Sequence, residues 1–175
     1  HHSRHPRVSK GQFHKGEITM LHFLEGCRFV NALAPIADAF SGTVYPAGVN
    51  VSEIGSACFV IQKGVGTTGT STITLVAGDD ASPLTETAIP FYYRRIQSDN
   101  TTIGAVTAAT TSGFVTTAGS GDMYIIGVDA QALAATGYKY LHLKAVESVD
   151  AAVLLSVLFI GMELRYADHT ADIVS

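Results

Sequence analysis

The chain has 175 residues, a formal net charge of −4, two cysteines and no tryptophan. This length fits one domain that can bury a hydrophobic core without metal or disulfide support. Charged residues make up 15% of the chain, against roughly 25% in ordinary soluble domains. So few charges favour an oligomer or a protein attached to a larger partner. The alternative is a compact β-domain whose polar cover is Thr, Ser and Gly.

The N-terminus concentrates positive charge. Its first nineteen residues hold four cations and one acid, namely Arg4, Arg7, Lys10, Lys15 and Glu17. They show neither apolar periodicity nor the apolar stretch of a secretory signal. We expect residues 1–19 to form an extended basic arm whose four cations contact a partner. Residues 20–167 are then a single β-sandwich domain, and the polar residues 168–175 are a C-terminal tail.

Strand patterns dominate the first half of the body. Residues 21–40 begin as a strand and, because Pro35 excludes a long helix, end in a turn or a short helical piece. The following strands are predicted from β-branched and aromatic runs: Thr43–Tyr45, the alternating pair Val49 and Val51, Ala57–Lys63 and Ser71–Ala77.

A glycine pattern between the last two of these strands imitates a nucleotide-binding loop. Gly64, Gly66 and Gly69 match G-x-G-x-x-G. Dinucleotide and phosphate loops need a helix to follow, because its N-terminal amides hold the phosphate. The residues that follow alternate as a β-strand instead. We therefore interpret the segment as a hairpin connection and expect no nucleotide there.

The segment Ala88–Gln97 has the strongest partner-binding character. Pro90 predicts that this strand lies at a sheet edge or begins after a bend. Alternation gives it two faces, Phe91, Tyr93 and Arg95 on one and Tyr92, Arg94 and Ile96 on the other. Tyr and Arg are enriched at interface hot spots, so the two tyrosines and two arginines are predicted contact residues. An edge strand whose arginines cover aromatic rings is the alternative.

The second half continues in the same way. Further strands are predicted at Ile103–Ala109, Met123–Val128, Tyr138–Val146 and Val153–Tyr166. Asp129 can cap a short helix that ends at Gly137. Eight or so strands with Gly and Pro turns and almost no helix predict an all-β sandwich with jelly-roll-like closure. An immunoglobulin-like sandwich or a barrel is the alternative.

Groups suited to bond chemistry are sparse. Asp79 and Asp80 form an acidic pair in a predicted turn without further ligands. The body histidines lack metal-ligand spacing and are interpreted as surface or edge residues: His22, His142 and His169. Cys27 and Cys58 are predicted to be buried free thiols. We therefore expect no enzyme activity, no cofactor and no metal site.

Membrane and nucleic-acid partners are also not expected. The apolar run Val153–Met162 has about half the length that a bilayer requires. Arg94 and Arg95 lie on an acidic body and form no basic stripe.

Four segments resemble small head proteins of tailed bacteriophages, a family of capsid decoration, or cement, proteins. They are RFVNALAPIADAF (Arg28–Phe40), AIPFYYRR (Ala88–Arg95), GAVTAATTSGF (Gly104–Phe114) and MYIIGVDAQALAATGYKYLHLKAVE (Met123–Glu147). The resemblance is one of overall character, covers roughly residues 23–167 and does not include the basic arm. It implies a jelly-roll-like sandwich on the outside of an icosahedral capsid, assembled in the bacterial host cytoplasm.

The partner that this resemblance implies is the major capsid protein, whose neighbouring subunits the chain would bridge. Further copies of the chain itself are expected as partners because of its low charge content. No catalytic residues come with it. A ligand- or carbohydrate-binding sandwich displayed on a virion is the alternative, with Tyr92, Tyr138 and Tyr140 as aromatic platforms.

Overall fold

The computed structural model describes residues 26–82, 85–99 and 101–164. The described part contains twelve strands and a short helix. In chain order they are β1 (Arg28–Ile36), β2 (Thr43–Val44), β3 (Val49–Asn50), β4 (Ile54–Lys63), β5 (Thr70–Gly78), β6 (Glu86–Ile89), β7 (Phe91–Ile96), β8 (Thr107–Ala109), β9 (Phe114–Val115), β10 (Met123–Val128), α1 (Ala130–Thr136), β11 (Tyr140–Val149) and β12 (Leu155–Leu164). The predicted arm and tail lie outside the described residues.

Two antiparallel sheets pack into a sandwich. Sheet A has the strand order β1-β12-β4-β10-β7-β8, and sheet B has the order β2-β11-β5-β6, with β3 also on β11 and β9 on β5. The pairs β4·β12, β5·β11 and β7·β10 nest one inside the next along the chain. This nesting is what a rolled-up hairpin produces, and it gives the sandwich its jelly-roll-like character. The prediction of an all-β sandwich is confirmed.

The hydrophobic core lies between the two sheets. Its largest fully buried apolar and aromatic side chains are Phe40, Phe59, Phe91, Phe159, Ile61, Ile73, Leu75, Tyr124, Ile126, Leu141 and Leu143. Phe59 and Phe159 lie opposite each other on β4 and β12, with ring centroids 5.0 Å apart in an edge-to-face arrangement. Each such side chain contributes about 1.5–3 kcal/mol by leaving water. Alternation within β4, β5, β11 and β12 thus forms a core large enough for one domain.

The first strand continues through Pro35, where the sequence predicted a turn or a helical piece. Among the described strands, β1 pairs with β12 alone and forms the edge of sheet A. An edge position tolerates a proline, which has no N–H to donate to a neighbouring strand. The pairing also shows register shifts between Asn31 and Leu33 and between Leu33 and Ile36. The turn follows at residues 37–42.

The prediction of a hairpin at Gly64–Gly69 is wrong, because β4 lies in sheet A and β5 lies in sheet B. The connection crosses between the sheets and packs against the chain just before β12. Gly64 donates its N–H to the carbonyl oxygen of Leu154 at 2.6 Å. A Cβ at Gly69 would lie only 2.2 Å from the carbonyl oxygen of Ala151. The glycines therefore allow close backbone packing, and a strand rather than a helix follows them.

Pro90 divides the predicted strand Ala88–Gln97 in two. The first part, β6, pairs with β5 in sheet B, whereas β7 pairs with β10 and β8 in sheet A. The predicted bend at Pro90 is therefore the place where the chain changes sheets. Because β8 covers Phe91–Tyr93, β7 is one strand in from the edge and not the edge strand that its sequence suggested.

The prediction of a short helix after Asp129 is confirmed, whereas the strand predicted at Ile103–Ala109 is present only in part. Helix α1 begins after Asp129, whose carboxylate accepts from the N–H groups of Gln131 and Ala132, and ends at Gly137 with φ 74°. The strand predicted at Ile103–Ala109 shrinks to β8, with one further bridge between Ile96 and Ile103. Small side chains give too little packing to fix a longer register.

Candidate interaction face

Strand β7 presents its side chains to two different environments. Phe91 is buried and Tyr93 packs onto the core, whereas Tyr92 on the opposite side is 50% exposed. The alternation predicted for this strand is confirmed. Its inner face points into the sandwich, and its outer face belongs to the outside of sheet A.

Tyr93 packs between the two sheets. Its ring stacks on Phe114 with centroids 4.0 Å apart and planes 6° apart. Phe114 also lies 6.2 Å from Phe91 and 5.2 Å from Tyr124, centroid to centroid. The structure thus gives Tyr93 a role in packing, and partner contact through its ring stays a prediction.

Arg95 forms an ion pair with a buried carboxylate. Its Nη2 and Nε atoms lie 2.9 Å and 3.1 Å from Oδ2 of Asp122, whose side chain is only 5% exposed. The buried Lys63 donates to the carbonyl oxygen of Thr117. Burial lowers the pKa of Lys63, and the charge of Asp122 opposes that change. Arg95 therefore compensates a buried charge, which is a structural role; its predicted partner contact stays a prediction.

Arg94 has no comparable partner. Its Nε atom is buried and makes no hydrogen bond within the described residues, and neither of the two ion pairs found there includes it. The side chain lines a hollow of about 300 Å³ together with Tyr92, Val106 and Ile125. A buried donor without an acceptor costs about 1–3 kcal/mol. Because this atom is closed to solvent, a partner in the hollow would meet Arg94 through its terminal nitrogens, for which no hydrogen bond is found within the described residues.

The outside of sheet A around Arg94 is apolar. Outward side chains on β12, β4, β10 and β7 form two neighbouring rows, which we call the outer face of sheet A. From β12 to β7 the rows are Ile160, Cys58, Gly127 and Tyr92, and Leu158, Val60, Ile125 and Arg94. Arg94 is the one charged residue at an outward position of these four strands within the described residues. The face is thus a broad apolar surface with a single positive charge.

The other predicted contact residues lie in the N-terminal arm. They are Arg4, Arg7, Lys10 and Lys15, and all four lie outside the described residues. Their contacts stay predictions.

A second concave feature lies on the outside of sheet B. It is a cleft of about 520 Å³, lined by Tyr45, Pro46, Ala47, Ala81, Ser82, Glu86 and His142. The Glu86 carboxylate accepts from Lys144 Nζ at 2.7 Å and from the Tyr45 hydroxyl at 3.3 Å. The bond to Glu86 raises the pKa of Lys144. No sequence motif indicated this cleft, because its residues come from β6, β11 and two loops.

His142 is not the surface or edge residue that the sequence suggested. It is 1% exposed, although it lies on the outer side of β11. Its Nε2 lies 2.8 Å from the carbonyl oxygen of Asp80, and burial lowers its pKa. Gly48 covers the ring so closely that a Cβ there would lie 2.0 Å from the His142 Cε1 atom. The loops at residues 45–48 and 79–82 therefore bury this side chain.

The described residues offer neither a metal-binding cluster nor a membrane-spanning helix. Within residues 26–82, 85–99 and 101–164, no group of three or more His, Cys, Asp or Glu side chains could hold a metal ion. No helix in these ranges has the length and apolarity to cross a bilayer. Cys27 and Cys58 are free and only partly buried, and burial raises the pKa of the Cys58 thiol.

Comparison with known protein families, curated proteins and solved structures finds no match for this chain. The geometry itself defines a class, an all-β sandwich with an apolar outer sheet face around one arginine. The function of a sandwich depends on its sites and not on its fold alone, and the described residues offer two candidate sites, that face and the cleft on sheet B.

Proposed function

We propose that this chain is a structural virion protein that binds the outer surface of a phage capsid and bridges neighbouring major capsid protein subunits. The outer face of sheet A is the attachment surface. The observation that supports this proposal is the face itself, where partly exposed apolar side chains surround an arginine Nε without an acceptor. The resemblance of the sequence to decoration proteins indicates which partner to test.

The size of the face suits repeated, individually weak attachment. Its four strands, about 4.8 Å apart and with a mean length of eight residues at about 3.3 Å each, cover roughly 500 Å². A standard stable interface uses about 800 Å² of each partner. One copy would therefore bind modestly. A capsid offers the same site many times, and contacts across subunit borders multiply modest affinities.

The composition agrees with an attached protein. Tyr92 and Leu158 are 50% and 36% exposed on this face, and large exposed apolar patches on soluble domains mark interaction sites. Tyr92 and Arg94 lie side by side at one end of the two rows. They belong to the residue types that dominate hot spots, so they are the expected anchors.

The experiment compares capsids stripped of this protein with the same capsids after it is added back. We expect the protein to co-sediment with the particles and to raise the temperature at which they rupture and release DNA. Particles of unchanged heat stability, together with protein that stays in the supernatant, would overturn the proposal.

The cleft on sheet B favours a second candidate, a ligand- or carbohydrate-binding sandwich. Its volume of about 520 Å³ falls within the roughly 300–1,000 Å³ of small-molecule sites. Tyr45 offers a partly exposed ring, and Glu86 offers a carboxylate that can accept from sugar hydroxyls. A glycan array probed with the native chain and with Tyr45→Ala tests it. Hits that Tyr45→Ala loses would support this function, whereas an array without hits would remove it.

A further inference from the structure

We infer that the outer face of sheet A takes an extended segment of a partner protein that carries an Asp or Glu side chain between apolar residues, with its carboxylate seated on Arg94. The inference rests on the proposed function, because it names the chemistry of the capsid segment at the same face. It adds the ligand group and the sequence pattern that the face selects.

The two adjacent arginines of β7 differ in whether the fold supplies them with an acceptor. Arg95 points inward and has its own carboxylate, that of Asp122, at 2.9 Å. Arg94 points outward into a hollow, and its Nε has no acceptor within the described residues. The same strand thus holds one arginine that is satisfied within the fold and one that is not. The acceptor for Arg94 has to come from outside these residues.

The form of the acceptor follows from the nitrogens that a partner can reach. The Arg94 Nε is closed to solvent, whereas the two terminal nitrogens form an edge of the planar guanidinium that matches the two oxygens of a carboxylate. The hollow of about 300 Å³ is lined mainly by apolar side chains, and hydrogen bonds between charged groups are strongest where water is excluded. A carboxylate is small enough to enter the hollow and can accept from both nitrogens.

The neighbours of Arg94 determine what flanks the carboxylate. Tyr92 and Ile96 lie two positions away on the same side of β7, about 6.6 Å to either side along the strand. In an extended partner segment, residues two apart have the same spacing. A segment that runs along β7 with its acid over Arg94 therefore places apolar side chains over Tyr92 and Ile96. The selected pattern is apolar-x-acid-x-apolar.

Two other occupants fit the face less well. Nucleic acid binds through several cations, and the outward positions of β12, β4, β10 and β7 carry only Arg94 in the described residues. A second copy that pairs this same face across a twofold axis would bring another Arg94 and no acid from those positions. Neither partner supplies a carboxylate among apolar side chains.

The experiment uses the full chain, with Arg94→Gln as the test variant and Lys139→Gln as the matched control. Both variants lose one positive charge, but Lys139 is exposed and lies away from the face. The first probe is the peptide acetyl-Ile-Thr-Glu-Thr-Ile-amide, titrated while the Arg94 Nε–H signal is followed by NMR. The same peptide with Gln in place of Glu is the control probe. The second probe is the stripped capsid, with binding measured by co-sedimentation.

We expect the Glu peptide to shift the Arg94 Nε–H signal and the Gln peptide to leave it unchanged. A hydrogen-bonded charge pair of this kind corresponds to about a 10- to 100-fold change in affinity. Arg94→Gln should therefore bind capsids that much more weakly, whereas Lys139→Gln should bind like the native chain. Arg94→Lys keeps the charge without the planar edge and should fall between them.

The outcomes separate this inference from the proposed function. Native protein that does not bind capsids contradicts the proposed function, while a Glu-specific shift at Arg94 would still support the carboxylate site. Native protein that binds capsids no better than Arg94→Gln overturns the inference and leaves capsid attachment standing. Competition by double-stranded DNA, or self-association that Arg94→Gln abolishes, would also overturn it by identifying another occupant.

Discussion

Replacing Arg95 with alanine should destabilise the fold, whereas the same change at Arg94 should not. Arg95→Ala leaves Asp122, with a side chain only 5% exposed, without its ion-pair partner. Breaking a fully buried pair costs about 3–5 kcal/mol. Because the Arg95 side chain is itself 35% exposed, water can partly replace it, and we expect a loss of about 2–3 kcal/mol in the free energy of unfolding. The expected fall in Tm is roughly 4–12 °C for a chain of this size.

Arg94→Ala is the matched control, because it removes the adjacent arginine of the same strand. It deletes a buried Nε that has no acceptor within the described residues, so the stability should not fall and should rise by up to about 1–3 kcal/mol. The assay is urea unfolding followed by far-UV circular dichroism, since the chain has no tryptophan for fluorescence. Equal stability of the two variants, or a larger loss for Arg94→Ala, would refute the assignment of Arg95 to the fold and Arg94 to the surface.

Three further predictions concern the sandwich. Burial lowers the pKa of His142 from its usual 6.5, so the unfolded chain binds more protons at this residue than the folded chain does. The free energy of unfolding should therefore fall as pH drops below about 6.5. His142→Gln should flatten this dependence in unfolding curves measured from pH 5 to 7.5. Gly48→Ala forces a Cβ against His142 and the Ala81 carbonyl and should cost about 1–3 kcal/mol, while Gly26→Ala, with open space around it, should cost little. Asp129→Ala removes the N-cap of α1 and should lower the stability by about 1 kcal/mol; a loss below 0.3 kcal/mol would contradict that role.

Residue alternation predicted much of the fold. Strands β4, β10 and β11 lie close to where their β-branched and aromatic runs predicted them, and β7 has its inner and outer sides where alternation placed them, because one side must enter the core. The helix α1 was predictable for a local reason, since Asp129 and Gly137 supply its two caps. Such features depend on residues close together in the chain, and their physical causes are visible in the sequence.

Sheet membership was not predictable in the same way. Pro90 signalled a bend, but not that β6 and β7 join different sheets. The glycines at 64–69 resembled a hairpin turn, although their function is close contact with Ala151 and Leu154, more than eighty residues later. These features depend on a segment that is distant in the sequence and packs across the sandwich. Local sequence patterns carry no information about that segment.

The candidate face was predicted in part. Alternation placed Tyr92 and Arg94 on the opposite face from Tyr93 and Arg95, but no local signal showed which of the two arginines has a partner within the fold. The distinction comes from Asp122, which lies 27 residues beyond Arg95 and reaches it only across β10 and β7. The cleft around His142 was missed for the same reason, since loops far apart in the sequence bury that side chain.

The most direct test of the account asks which side of the sandwich attaches to the partner. Leu158→Lys places a charge on the outer face of sheet A, and Val146→Lys places one on the outer side of sheet B, where the native side chains are 36% and 39% exposed. Both variants are measured for occupancy on stripped capsids by co-sedimentation. We predict that Leu158→Lys loses most of its binding and that Val146→Lys retains it. Equal binding of the two variants, or loss confined to Val146→Lys, would contradict attachment through sheet A.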